Sequence, residues 1–266
     1  MGGIVNVIGY GIDVSHHQDP AHLPWVEFAG QVDFVIARAN YGARLRDRHC
    51  PEHIRRARDI GAKVGLYSFF RNVHGITEQF DLLCAVAEEC GIGPGDIVPT
   101  IDIEADSFDA DGHTQNRPVD PSWSEPARQL ANLLAAQFGD CMIYLTQREF
   151  GQLGKPDWAL NHPLWVAHYG ARMPALPGNM PATIWQHRVA PFAKNGPSLY
   201  DKASPVLDQN FQLLPLPLIP PSITDADRER TAGLVALTTQ QSADEALHGE
   251  SFPLSDTEPS PPPSEA

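Results

Sequence analysis

Short β-rich runs alternate with stretches of helical spacing through the first two thirds of the chain, and few architectures accept that pattern. Ile8–Ser15 and Asp33–Tyr41 read as strands, Glu52–Ile60 as a short helix stopped by Gly61, and Val64–Phe70 as a strand again. Ile76–Cys90 places Phe80, Leu83, Cys84 and Ala87 on one helical face and ends at Gly91, after which Ile97–Ile103 is strand-like. Pro121 and Ser122 open a helix that runs through Phe138. Four more strand-like runs follow at Cys141–Thr146, Leu164–Tyr169, Thr183–His187 and Val206–Phe211, with few helices between the later ones. About eight strands over roughly 210 residues predict an α/β fold with a parallel sheet: an irregular TIM-like β/α barrel with helices missing between the later strands.

The expected domain is 1–216, and 217–266 is expected to be a Pro-, Ser- and acid-rich tail, mostly disordered, because its text (PLSDTEPSPPPSEA at the end) cannot bury enough apolar area to offset ordering entropy. Leu234, Val235 and Leu237 give Thr224–Leu247 the apolar content for one helix within it. The tail also explains the charge. The chain carries −14, and from Leu218 onward nine acids face only Arg228 and Arg230, which is half of that total. No basic stripe remains to neutralise phosphates, so nucleic acid is excluded as a partner. No apolar run is long enough to span a bilayer, so membrane insertion is not expected, and the N-terminus lacks the basic and apolar regions of a conventional signal peptide. Cys50, Cys84, Cys90 and Cys141 are irregularly spaced, without a zinc-like pattern, and read as buried thiols; a disulfide among them stays open.

The strongest chemical signal is Asp102 and Glu104 in VPTIDIEAD. Residues i and i+2 of a strand share a face, so the two acids point one way while Ile101 and Ile103 point into the packing. Barrel enzymes place their sites at the C-terminal ends of strands, and two carboxyls so close resist joint ionisation, which suits one of them to donate a proton. A solvated strand end and a divalent-cation site are the alternatives for this tetrapeptide. Asp13 ends the first strand and Asp208 lies in the last, and closure of a barrel would bring both to the same mouth. Tyr41, Tyr67, Trp165, Tyr169 and Trp185 lie in or at the ends of strands, where flat rings suit pyranose faces and also suit a core. His16, His17, His168 and His187 miss metal-ligand spacings, and Ser15 and Ser68 lack a nucleophile elbow.

The segments GIDVSHHQ, FVIARANYG, Asp47, GAKVGLYSFFR, PTIDIE, PLWVAHYG, IWQH and LDQNF occur in an order that resembles glycoside hydrolase family 25, the muramidase lysozymes of bacteria and phages. The likeness covers about residues 8–212. It implies an irregular β/α barrel that hydrolyses the β-1,4 bond between N-acetylmuramic acid and N-acetylglucosamine, with peptidoglycan as partner and neither metal nor cofactor. It also implies Glu104 as general acid/base, Asp102 as its partner, Asp13 and Asp208 as flanking acids, and Tyr67, Trp165, Tyr169 and Trp185 along the cleft. The intermediate is either covalent on Asp102 or formed by the substrate's own acetamido group. Where the family commonly has Tyr-His this chain has Tyr67-Ser68, the one feature favouring a glycan-binding protein without catalysis. The expected setting is a monomeric phage endolysin that passes from host cytoplasm to cell wall, or a virion-associated or otherwise exported lysin.

Overall fold

The computed structural model describes residues 6–108, 113–169, 182–190 and 207–222. The tail beyond Ser222, with the helix expected at Thr224–Leu247, lies outside the described residues. Eight strands close into a barrel: β1 (Gly9–Val14), β2 (Phe34–Tyr41), β4 (Lys63–Phe69), β5 (Thr100–Asp102), β8 (Met142–Thr146), β9 (Leu164–Ala167), β10 (Ile184–Ala190) and β11 (Leu207–Gln212). A two-residue strand, β3 (Leu45–Arg46), pairs with the end of β2. A hairpin of β6 (Asp106–Phe108) and β7 (Thr114–Arg117) rises beyond β5.

The helices α2 (Cys50–Asp59) and α3 (Ile76–Glu89) pack outside β2 and β4, and α4 (Ser124–Phe138) packs against α3 and β5; α1 (Trp25–Phe28) and α5 (Gln147–Gln152) are short. Their ends follow local rules. Pro51 sits in the first turn of α2, where its missing N–H costs nothing, and Glu52 accepts from Arg55 and Arg56 one turn on. Gly139 ends α4 in a left-handed conformation with φ 87°. The residues that join β9 to β10 and β10 to β11 lie largely outside the described residues.

The direction of the last strand departs from the expected parallel sheet. Seven strands run parallel, but β11 is antiparallel to both β1 and β10. Hydrophobic alternation marks a strand without giving its direction, so the sequence could not show the reversal. The reversal decides where Asp208 lies. In a parallel β11 its early position would put it at the floor, whereas here it is registered with Asp13 at the C-terminal end of β1.

Two apolar layers hold the barrel. Outside it, Ile12, Val14, Val35, Ala37, Ile101 and Ile103 meet helix residues such as Leu83, Leu130 and Leu134, all nearly inaccessible. Inside, Phe34 closes the lower end against Gly11, where an added Cβ would stand 2.3 Å from the ring, so only glycine fits. The folded unit continues a few residues past 216. Val98 donates to the Pro217 carbonyl, Gly95 to that of Ile219, and Ile219 back to Asp96, sealing the floor.

Candidate active site

Above Phe34 the inward-facing positions turn polar and open into a cleft of about 400 Å³ at the C-terminal ends of the parallel strands. Asp13 from β1 and Ser15 just beyond it, Arg38 from β2, Tyr67 and Phe69 from β4, Asp102 and Glu104 at the end of β5, Tyr144 from β8, Trp165 from β9, Gln186 from β10 and Asp208 from β11 line it. All four acids singled out from the sequence are therefore brought together. β5 is shorter than expected, ending at Asp102, so Glu104 stands just beyond the strand, yet both acids face the cleft.

A chain of polar contacts fixes the floor. The Trp165 indole donates to Asn210 at 2.8 Å, and Asn210 and Gln186 donate to Asp13 Oδ2 at 2.7 and 3.0 Å. Tyr144 and Tyr169 both donate to Gln186 Oε1 at 2.9 Å. Amide donors satisfy Asp13 without neutralising it. Burial, and then the neighbouring Asp208, still hold its pKa well above the usual carboxylate range. Asp102 is buried, its Oδ1 without a hydrogen-bond partner, and burial followed by repulsion from Glu104 and Asp13 raises its pKa strongly. Burial pushes Asp208 up to about 6. Glu104, more accessible than Asp102, is pushed up to about 7 by burial, then by Glu149 and Asp208.

Several contributors escaped sequence reasoning. Arg38 lines the cleft and its charge opposes that rise; its Nε donates to the buried Asp47 at 3.0 Å. Glu149, on α5 just after β8, is buried, takes a short hydrogen bond from Thr146 and supplies like charge to Glu104. Asp106 pairs with Arg71 at 2.7 Å, both buried, and accepts from the Tyr41 hydroxyl in a short contact. Arg71 also donates to the Phe108 carbonyl at 2.6 Å, which ties the β6–β7 hairpin to the rim. Tyr41 packs between Phe69 and Phe108, the last residue of β6 in that hairpin.

The aromatic expectations divide. Tyr41, Tyr67 and Trp165 line the cleft, and Tyr169 stands at its edge, 57% exposed. Trp185 does not belong to the cleft. It is one residue from the inward Gln186, so its ring lies on the outer face of β10 against Phe211 and His187, its indole donating to the His168 carbonyl. Ser68 also points away from the cleft. It is registered beside Ile101, on the helix-facing side, and is buried, so its departure from the family pattern removes nothing from the site. Among the described residues the metal-ligating side chains whose donor atoms converge, Asp140, Cys141 and His162, lie not here but at the opposite end of the barrel.

Comparison with known proteins agrees with this geometry. Residues 12–194 match the family described as glycosyl hydrolases family 25. Lysozyme M1 of Streptomyces globisporus is 27% identical over 182 residues, 66% of this chain, and the chain spans 60% of that relative's length. Among solved structures, a family 25 glycosyl hydrolase from Bacillus anthracis superposes with a TM-score of 0.62 at 18% identity, over 79% of this chain and 91% of that one. The modular autolysin LytC of Streptococcus pneumoniae, solved with a synthetic peptidoglycan ligand, gives 0.61 at 17% identity, covering 76% of this chain and 46% of that one. The catalytic domain of the endolysin ply40, from bacteriophage P40 of Listeria monocytogenes, gives 0.55 at 18% over 86% and 99%. At such identities these structures establish a shared fold.

Proposed function

Because the chain belongs to glycosyl hydrolase family 25, we propose that it is a muramidase, a lysozyme that hydrolyses the β-1,4 bond between N-acetylmuramic acid and N-acetylglucosamine in peptidoglycan. The observation that carries this reading is Glu104. With its pKa pushed up to about 7 it keeps about half of its protons at neutral pH, and it faces a cleft with three more acids.

Glu104 protonates the leaving glycosidic oxygen as the C–O bond breaks and positive charge develops on the muramic acid ring. As a carboxylate it then takes a proton from the incoming water, which returns it to its starting state. Asp102 lies deeper than Glu104, and burial followed by repulsion from Glu104 raises its pKa. Either Asp102 attacks the anomeric carbon as a carboxylate, or the substrate's own 2-acetamido oxygen closes on that carbon with Asp102 accepting the acetamido N–H. Asp13, held by Gln186 and Asn210, and Asp208 across from it face the same cleft, where they orient the sugar and the incoming water. Tyr41, Tyr67, Trp165 and Tyr169 offer ring faces to the sugars on either side of the scissile bond.

One chain supplies every group in this scheme, which supports the reading of a monomeric enzyme. Its substrate places its work in the bacterial wall, in the manner of an endolysin or a virion-associated lysin. The test is digestion of purified peptidoglycan by the wild type and by Glu104→Gln, with mass spectrometry of the reduced products. New reducing ends on muramic acid, absent with the variant, are expected. No cleavage of several wall types by a folded wild-type protein would leave a glycan-binding barrel instead.

A further inference from the structure

Asp140 and Cys141 lie between α4 and β8, and His162 immediately precedes the entry to β9, all at the floor of the barrel. His162 Nδ1 stands 2.9 Å from Asp140 Oδ1 and 3.7 Å from Cys141 Sγ, and the three donor atoms lie within 4.8 Å of one another. An ion bound tetrahedrally at about 2.0–2.3 Å spaces its ligands roughly 3.3–3.8 Å apart, so the arrangement needs only small adjustments to become one face of a tetrahedron.

Without an ion, Nδ1 donates to Asp140 and the Cys141 thiol donates to the Ala131 carbonyl at 3.6 Å. A cation would instead take a lone pair from each of the three residues. The surroundings hold the donors in place. Cys141 is inaccessible to solvent and its amide donates to Asp140 Oδ1 at 2.7 Å. Trp158 meets the imidazole edge-on at 6.4 Å and is itself anchored to Ser124 Oγ at 3.0 Å. Asp140, 39% exposed in its side chain, leaves a path for the ion and for water as a fourth ligand.

We propose that Asp140, Cys141 and His162 form a structural site for a zinc-class divalent cation, joining the α4–β8 junction to the start of β9. A set of one sulfur, one nitrogen and one oxygen suits zinc, and calcium and magnesium prefer oxygen alone. The site lies opposite the acid cluster and takes no part in hydrolysis.

The experiment titrates Co2+ into the full chelator-treated chain and follows the thiolate-to-cobalt charge-transfer absorption. Competition by Zn2+ and melting with Zn2+ or Ca2+ complete it. One equivalent of Co2+ should give the thiolate band, Zn2+ should displace it and raise the melting temperature, and Ca2+ should do neither. His162→Gln and Asp140→Asn, both at partly accessible positions and checked by circular dichroism, should each weaken binding roughly tenfold or more. Absence of the thiolate band in the folded wild type, or affinity unchanged in both variants, would overturn the proposal.

Discussion

Glu104→Gln should make the protein more stable above pH 7 while removing its activity. Glu104 titrates near 7 when folded, against 4.5 for an unperturbed glutamic acid, chiefly because burial and then Glu149 oppose its charge. The raised value fixes the sign. Below pH 4.5 the residue is protonated in both states and costs nothing; between 4.5 and 7 the unfolded chain ionises first, and stability falls; above 7 the loss is complete. A shift of about 2.5 units at about 1.4 kcal/mol each gives an upper bound near 3.4 kcal/mol, and discounting for Glu104's partial accessibility leaves about 1–3 kcal/mol. Glutamine has nearly the same shape and never ionises. Urea unfolding of both proteins from pH 4 to pH 8.5 should therefore show a stability difference that grows through this window and then levels off. Curves that stay parallel at every pH, or a variant less stable at pH 8, would refute the argument that Glu104 is held protonated against an electrostatic cost.

The same pKa should appear as the alkaline limb of the rate profile, falling about tenfold per pH unit well above 7. Glu149→Gln removes like charge from beside Glu104 and should move that limb to lower pH; an unmoved limb would deny the coupling. Asp106→Asn strands the Arg71 guanidinium in a buried position and should cost about 3–5 kcal/mol in thermal or urea unfolding, with less lost when Arg71→Met is added. Tyr169→Ala should raise KM several-fold with the fold unchanged, whereas Trp185→Phe should lower the melting temperature and leave KM alone. A KM effect from position 185 would contradict its placement on the outer face.

Asp102 and Glu104 were legible because the period of a strand is two, which needs no partner to interpret, and Asp13 because it closes an unmistakable apolar run. Trp185 was misread for the complementary reason. Period two says that Trp185 and Gln186 oppose each other but not which one faces in, and that is settled by pairing with β9 and β11. Gln186 and Asn210 drew no attention because amides signal no chemistry until they are seen donating to Asp13. Arg38 lies on β2 and Glu149 on a helix, so no local spacing could bring them to the acids they influence. Asp208 was found, but the strand reversal that delivers it was not.

That reversal also settles the traffic of the polypeptide. Because β11 runs downward, the chain passes the cleft at Asp208 and leaves the folded unit at the other end, where Leu218 bridges to Ile97 and Pro220 lies against Gly139. A parallel last strand would have ended at the mouth, and anything appended there would crowd the entering glycan. Here a tether, tag or second module joined after Ser222 is attached behind the enzyme. A barrel moored at Ser222 would thus present its open face outward to the polymer.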